Sequence, residues 1–454
     1  MRFRYIAATV PLGLAASALA VLPASAGIVA SGHATVSRTA VTDSAGRMTP
    51  GFSTPHAYKY VGKASSELTG SNFLFSCQEP GAAINCYTPQ ELATAYDIPS
   101  KLTGAGQTIV IIDAFGDPEI TQDLGVEDTA FGLPAAKLNV IYPDGQPTFD
   151  PTNADEVNWS GEVALDVESS HAIAPAATID LVIAKSDADA DLLSALKYAV
   201  GHHLGSVLSQ SYGEAEACEA ANITTSDHLL FAAAAAEGVS VFASSGDDGA
   251  AQASCDGTTL IKSVGLPAAD PLVTSVGATS LTAEQPDGTY ESETAWNDIY
   301  GASGGGYSKE FPTPLYQIGS THQPGRGVPD VAYSGDVNNG LLIAWSQGVA
   351  ADVGEIFVVG GTSAGSPQWA AITALADQAA HHPLGFLNDK LYAIAHSPKY
   401  SYVFHDITTG NNTVSFTNAS GATQTITGYS ATKGWDPVTG LGTPDVAHLI
   451  SVLS

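Results

Sequence analysis

The chain has 454 residues and carries 46 acidic against 16 basic side chains, a formal net charge of −30. A surface this acidic repels nucleic acid and anionic lipid, which argues against both as partners. The length suffices for one large domain with a sizeable core and a short appendage.

Arg2 and Arg4 open the chain, Ile6 to Val21 is mostly apolar, and Ala24-Ser25-Ala26 is a small-residue cleavage site. This is the pattern of a secretory signal peptide over residues 1–26. Its removal takes away two arginines and leaves a charge of −32 (−30 − 2). The later apolar stretches are broken by glycine, proline and polar residues, so a secreted, soluble monomer that spans no membrane is expected. Self-repulsion in such a chain relaxes where carboxylates protonate, near about pH 4, which suggests an acid working range.

Residues 27–86 form a short N-terminal segment, rich in Ser, Thr, Ala and Gly in its greater part, and are expected to be loosely ordered. Cys77 and Cys86 are close enough to close a small loop, and Cys218 and Cys255 flank a helix–strand unit. Four cysteines in an exported chain read as two disulfides. Adjacent pairing is expected, with crossed pairings open. The spacing lacks the paired Cys/His pattern of a zinc site.

From Tyr87 onward, apolar runs alternate with helical patterns. Strands are expected at Gln107–Asp113, Thr178–Ala184, Val207–Ser211 and Val239–Ser244. Helices are expected at Glu162–Ala174, Ala190–His202 and Ser226–Glu237. This βαβ rhythm predicts an α/β fold, a parallel sheet with helices on both faces and functional residues at the carboxyl ends of strands. Residues 280–355 are richer in glycine and aromatics and read as hairpins and surface loops.

The apolar run Glu355–Val359 leads into Gly360-Gly361-Thr362-Ser363-Ala364-Gly365-Ser366-Pro367, followed by the helical pattern from Gln368. A serine there sits on a glycine-permitted turn, its hydroxyl projecting outward beside the free N–H groups of a helix start. Nucleophilic serines use this geometry. A base is then needed, and no histidine opens a helix in a His-Gly-Thr context. His171 lies nine residues from Glu162, about 180° round the same helix, so it points elsewhere. Glu162 and Asp166 are about 40° apart on one face. Such a pair is ordinarily a solvated face, but beside Ser363 it can share a proton and act as a base in acid. Ser245-Gly246-Asp247-Asp248 ends another buried strand, where a protonated aspartate can donate to developing negative charge.

Taken together, these motifs resemble the sedolisin family of serine-carboxyl peptidases, which has a subtilisin-like fold. Glu162-Val163-Ala164-Leu165-Asp166, Ser245-Gly246-Asp247 and Gly361-Thr362-Ser363 through Pro367 match the family's three motifs in order. Tyr87–Leu92, Ser303–Ser308 and Val328–Val331 extend the likeness, which makes 87–454 the expected peptidase domain. The resemblance implies Ser363 as nucleophile, Glu162 as general base and acid, Asp166 as its partner and Asp247, rather than Asp248, as oxyanion donor. It implies Ser211, Tyr212 and Gly213 as the substrate-lining strand, with Asp113 an outer member of the carboxylate network. It also implies one structural Ca2+. Asp406-Ile407 and Thr432-Lys433-Gly434-Trp435-Asp436 match its ligand segments, except that Thr432 stands where the family has glycine. Peptides or proteins are the implied substrates. A catalytically silent relative of the same fold, peptide-binding or serving at the cell surface, is the alternative. Only about sixty residues separate Ala26 from the peptidase domain, too few for the family's long propeptide.

Overall fold

The computed structural model describes residues 35–36, 57–63, 75–79, 81–346, 355–417 and 421–454, and the leader pattern of residues 1–26 lies outside them. Eight strands build the main sheet: β1 (Thr108–Ala114), β2 (Lys137–Ile141), β3 (Thr178–Ala184), β4 (Val207–Gln210), β5 (Ser240–Ser244), β6 (Thr274–Ala283), β7 (Tyr290–Ala295) and β8 (Val331–Ser334). Their order is β7-β6-β5-β4-β1-β3-β2, with β8 also paired to β6. Every pairing is parallel except that of β6 with β7.

The helices used below are α1 (Pro89–Ala95), α2 (Ile120–Phe131), α3 (Ala154–Ile173), α4 (Asp189–Gly201), α5 (Ala221–Ala236) and α6 (Thr362–Ala380). Alternation along the central strands divides the core between two faces. Ile109 and Ile111 of β1 pack in one cluster with Val163 of α3 and Ile372 of α6. Val110 and Ile112 pack in the other with Leu196 of α4 and Phe231 of α5. Both faces are thus covered, which is why β1 reads as a continuous apolar run rather than an alternating one.

The structure departs from the sequence reading in several places. α3 starts eight residues before the expected Glu162, because Asn153 caps it by accepting the Asp155 N–H at 3.1 Å. Residues 280–355 are not mainly surface loops: β8 lies within the main sheet, and Val328, Val331, Ile343 and Trp345 are fully buried. The glycines that suggested loops instead allow close backbone approach. A Cβ on Gly335 would stand 2.5 Å from the Gly361 carbonyl oxygen. Residues 57–63 and 85–87, placed by the sequence in a loosely ordered segment, form the outer strands of a four-stranded sheet with 355–360 and 339–344. The disulfides are Cys77–Cys86 and Cys218–Cys255. Among the described residues no helix is long and apolar enough to cross a membrane.

An unusual number of carboxyl groups are buried outside the motifs. Where α2 and α3 meet the strand 339–344, Glu168 Oε2 accepts the Ala344 N–H at 2.7 Å and Asp123 Oδ2 accepts the Ser346 N–H at 2.9 Å. Glu127 and Glu168 are almost wholly buried, and desolvation, followed by neighbouring carboxylates, pushes both up. Desolvation also raises Asp123 to about 6 and Asp117 to about 8. A carboxyl with a higher pKa folded than unfolded binds more protons in the native state. Its stabilising effect is therefore complete below the unfolded value of about 4 and lost as pH rises through the folded value. The urea midpoint is expected to be highest in acid, to fall from about pH 4 upward and to level off by about 8. A midpoint that climbs across that interval would refute this account of the buried acids.

Candidate active site

Ser363 is presented by a turn that glycine makes possible. Gly361 adopts φ +104°, in the left-handed region, and its N–H donates to the Gly335 carbonyl at 2.6 Å. α6 begins immediately afterwards at Thr362, so Ser363 lies in the first helical turn rather than on the turn itself. Its side chain is fully buried in this conformation, not outward-projecting as expected. The Ser363 hydroxyl donates to the Ser211 carbonyl at 3.4 Å. Pro367 cannot supply the helical N–H that would ordinarily meet the Ser363 carbonyl. The Ser211 hydroxyl donates to that carbonyl instead, at 3.5 Å. Ser211, just after β4, is therefore bound to Ser363 in both directions. A Ser209–Ser366 hydroxyl contact at 2.9 Å anchors the same strand to the same helix.

Glu162 and Asp166 do not face solvent. From Trp159 to His171 every residue of α3 is buried, since the helix packs against α6, α2 and β1. Both carboxyls are fully buried, as is Asp113 near the end of β1. Asp166 is raised well above the usual carboxyl range by desolvation, then by the charges of Asp113 and Glu162. Asp113 is raised by desolvation and by Glu162. The charges acting on these two groups are those of other carboxylates, which favours protonation within the cluster. His171 takes no part: its Nε2 lies 2.9 Å from both Asp128 Oδ1 and the Pro134 carbonyl.

Asp247 follows β5 after Gly246, whose φ of +102° redirects the chain. Asp247 Oδ1 accepts two hydrogen bonds from Thr362, from its N–H and its hydroxyl, both at 2.8 Å. The Thr362 hydroxyl oxygen in turn accepts the Gly246 N–H at 3.0 Å. Thr362 thus ties the Asp247 loop to the residue preceding Ser363. Sequence reading gave Thr362 no role, although its place between Gly361 and Ser363 was the available signal. Asp247 is raised well above the usual range by desolvation, against the pull of the Thr362 bonds, with Glu162 and Asp248 adding to the rise. Asp248 instead bridges to Ala302 in an isolated strand-like contact.

Tyr212 and Gly213 line a cleft beside the Asp247 loop. The Tyr212 hydroxyl donates to Gln210 Oε1 at 3.0 Å, and its ring lies 6.0 Å from that of Trp159. Asp113, Ser211 and Asp247 lie at the carboxyl ends of β1, β4 and β5, and Ser211 and Asp247 are hydrogen-bonded to the first turn of α6, which carries Ser363.

The second group of singled-out residues is remote in sequence but assembled around one turn. The Gly434 N–H donates to Asp406 Oδ1 at 3.0 Å, and the Thr432 N–H to Asp436 Oδ2 at 2.9 Å. Ile407 is buried beside Asp406. The left-handed residue of this turn is Gly434, at φ +78°, and Thr432 is not among the positive-φ residues. The glycine-to-threonine departure is therefore compatible with the local backbone. The two carboxylates and the backbone carbonyls of these segments are oxygen donors, the type a hard cation takes.

The chain is 38% identical to kumamolisin of Bacillus sp. (strain MN-32) over 394 residues, covering 84% of this chain and 66% of that protein. It is 33% identical to sedolisin of Pseudomonas sp. (strain 101) over 380 residues, covering 80% and 60%. Among solved structures it is similar to Pseudomonas sedolisin, a serine-carboxyl proteinase complexed with two molecules of pseudo-iodotyrostatin. That likeness has a TM-score of 0.69 and 30% identity, and covers 81% of this chain and 98% of the other. The chain spans less than two thirds of these curated relatives' own length, at 66% and 60%. No family model matches it.

Proposed function

Because the chain belongs to the sedolisin family of serine-carboxyl peptidases, we propose that it hydrolyses peptide bonds in acid through an acyl-enzyme on Ser363. The observation that carries this reading is the burial of Glu162 and Asp166 on α3, which packs against the helix of Ser363, together with Asp113 and Asp247 at the ends of β1 and β5. Burying several carboxyls without cations is costly unless protons neutralise them. A fold that retains the arrangement is suited to acid, and the cost argues against an idle site.

In the proposed reaction the Ser363 oxygen attacks the scissile carbonyl carbon and its proton passes to Glu162. Burial favours the protonated forms of Asp166 and Asp113, which flank Glu162 electrostatically. The negative charge moves to the carbonyl oxygen, where protonated Asp247 donates a hydrogen bond. Collapse breaks the C–N bond, and the amine leaves with the proton returned by Glu162. Water then attacks the acyl-enzyme with Glu162 again as base, regenerating Ser363. Peptide cleavage by the purified protein and by Ser363→Ala tests the reading. The wild type is expected to cleave and the variant not to. Equal rates would favour a silent, peptide-binding relative. The basic, apolar and small-residue run of 1–26 supports secretion, and the acidic surface supports a monomer.

We also propose a structural Ca2+ held by Asp406, Asp436 and the carbonyls of Ile407, Thr432 and Gly434. When bound it would clamp two distant segments of chain, and it supplies no chemistry to the reaction. An ion held only by the native state stabilises by about 2.7 kcal/mol at a hundredfold excess over its dissociation constant. Chelator is expected to lower the melting temperature of the wild type by several degrees and to leave Asp406→Ala unchanged. Superimposable wild-type melts with and without chelator would remove the site.

A further inference from the structure

The cleft beside Asp247 ends at a buried glutamine, Gln252. One wall is Tyr212 and Gly213, after β4, and the other is the Ser244–Asp247 loop, after β5. The far end is closed by Gln252, on the short strand 251–253, with Gly265 and Leu266 beneath it. Gln252 is buried, and its amide occupies the space that two glycines leave open. A Cβ on Gly246 would stand 2.6 Å from Gln252 Nε2, and one on Gly265 would stand 3.3 Å away. Neither glycine can therefore gain a side chain unless Gln252 moves, and no substrate group can reach that depth while Gln252 is there. The Ser244 and Ser245 hydroxyls are buried and have no hydrogen-bond partner. Buried polar groups of that kind favour a ligand that can complete their hydrogen bonds.

We infer that Gln252 is the specificity-determining residue for the substrate side chain next to the attacked carbonyl. It makes the cleft shallow and polar, so that short polar side chains such as asparagine or serine are accepted and long aromatic ones are rejected. This rests on the peptidase reading, since the cleft lies beside the proposed oxyanion donor. Truncating Gln252 to alanine removes a carboxamide and a methylene and extends the cleft between the two glycines. Hydrophobic pockets discriminate by about 10–200-fold per methylene of misfit, which sets the scale of the expected change.

The test compares kcat/KM for two peptides that differ only at the acyl-side residue, asparagine or phenylalanine. The wild type is expected to favour asparagine. Gln252→Ala is expected to raise the phenylalanine-to-asparagine ratio at least about tenfold, whereas Gln252→Glu, which keeps the length, should retain the discrimination. Peptides varied only on the leaving-group side should show no such change, which separates a pocket effect from general loosening. A wild type that prefers phenylalanine, or a ratio unmoved by Gln252→Ala, would overturn the inference even if that variant folds poorly. Binding of the same two peptides to Ser363→Ala, with and without Gln252→Ala, reads the cleft without catalysis. Loss of all cleavage in the wild type would then count against the peptidase reading alone. Peptide binding insensitive to Gln252, or none at all, would count against the cleft.

Discussion

Glu162→Gln is expected to lower turnover by about 10²–10⁴-fold, the usual contribution of a positioned general base. The amide keeps the shape of the side chain and its place in the buried face of α3. It cannot take the proton of Ser363 or return it to the leaving amine. Since Glu162 is fully buried within α3, no solvent-borne group can replace it at that position. The loss should appear in kcat and kcat/KM together, because substrate binding does not use that proton. Removing a charge that acts on Asp113, Asp166 and Asp247 should also make each of these ionise more readily. The variant is therefore expected to be inactive but folded. A variant retaining wild-type kcat would remove Glu162 from the reaction.

Asp247→Ala is the second large expected effect, a loss of about 10²–10³-fold in turnover for one missing oxyanion donor. Asp247→Asn is expected to lose less, since an amide N–H donates without needing a proton. The pH dependence carries the sign. Asp247 works only while protonated, so activity that depends on it is complete in acid and falls as pH rises through its raised pKa. Asparagine has no such ionisation, and any alkaline limb set by Asp247 should move upward in Asp247→Asn. Thr362 positions the aspartate through two bonds to the same oxygen, leaving the other oxygen as the place for a donated proton. An Asp247→Ala variant with unimpaired turnover would show that the oxyanion is held elsewhere.

Much of this framework was readable because local signals agreed with the global fold. The expected strand Thr178–Ala184 has the observed bounds, and the Gln107–Asp113 run differs from β1 by one residue at each end. Both are apolar runs between turn signals and are buried on two faces. The first two turns of α3 escaped notice because residues 154–161 lack a clear apolar stripe, and only the Asn153 cap announces them. Periodicity also could not say which side of α3 is covered. An i, i+4 pair of acids reads the same on a solvated face and in a core, and only packing against α6 and β1 distinguishes them. The same ambiguity hid Glu127 and Glu168, whose burial depends on the strand 339–344, some 170 residues further on or more. Asp113, expected as an outer member of the network, is fully buried, and its charge acts on Asp166. Gln252 carried no sequence signal, because its place is set by the absence of side chains at Gly246 and Gly265.

The central claim is that buried, proton-bearing carboxyls run the chemistry of Ser363. The pH profile of kcat/KM for the purified protein, with Ser363→Ala measured alongside, tests it most directly. The account predicts a maximum in acid, a fall toward neutral pH as the carboxyl cluster loses its protons, and no cleavage by Ser363→Ala at any pH. Activity that peaks at neutral or alkaline pH, or survives in Ser363→Ala, would contradict it.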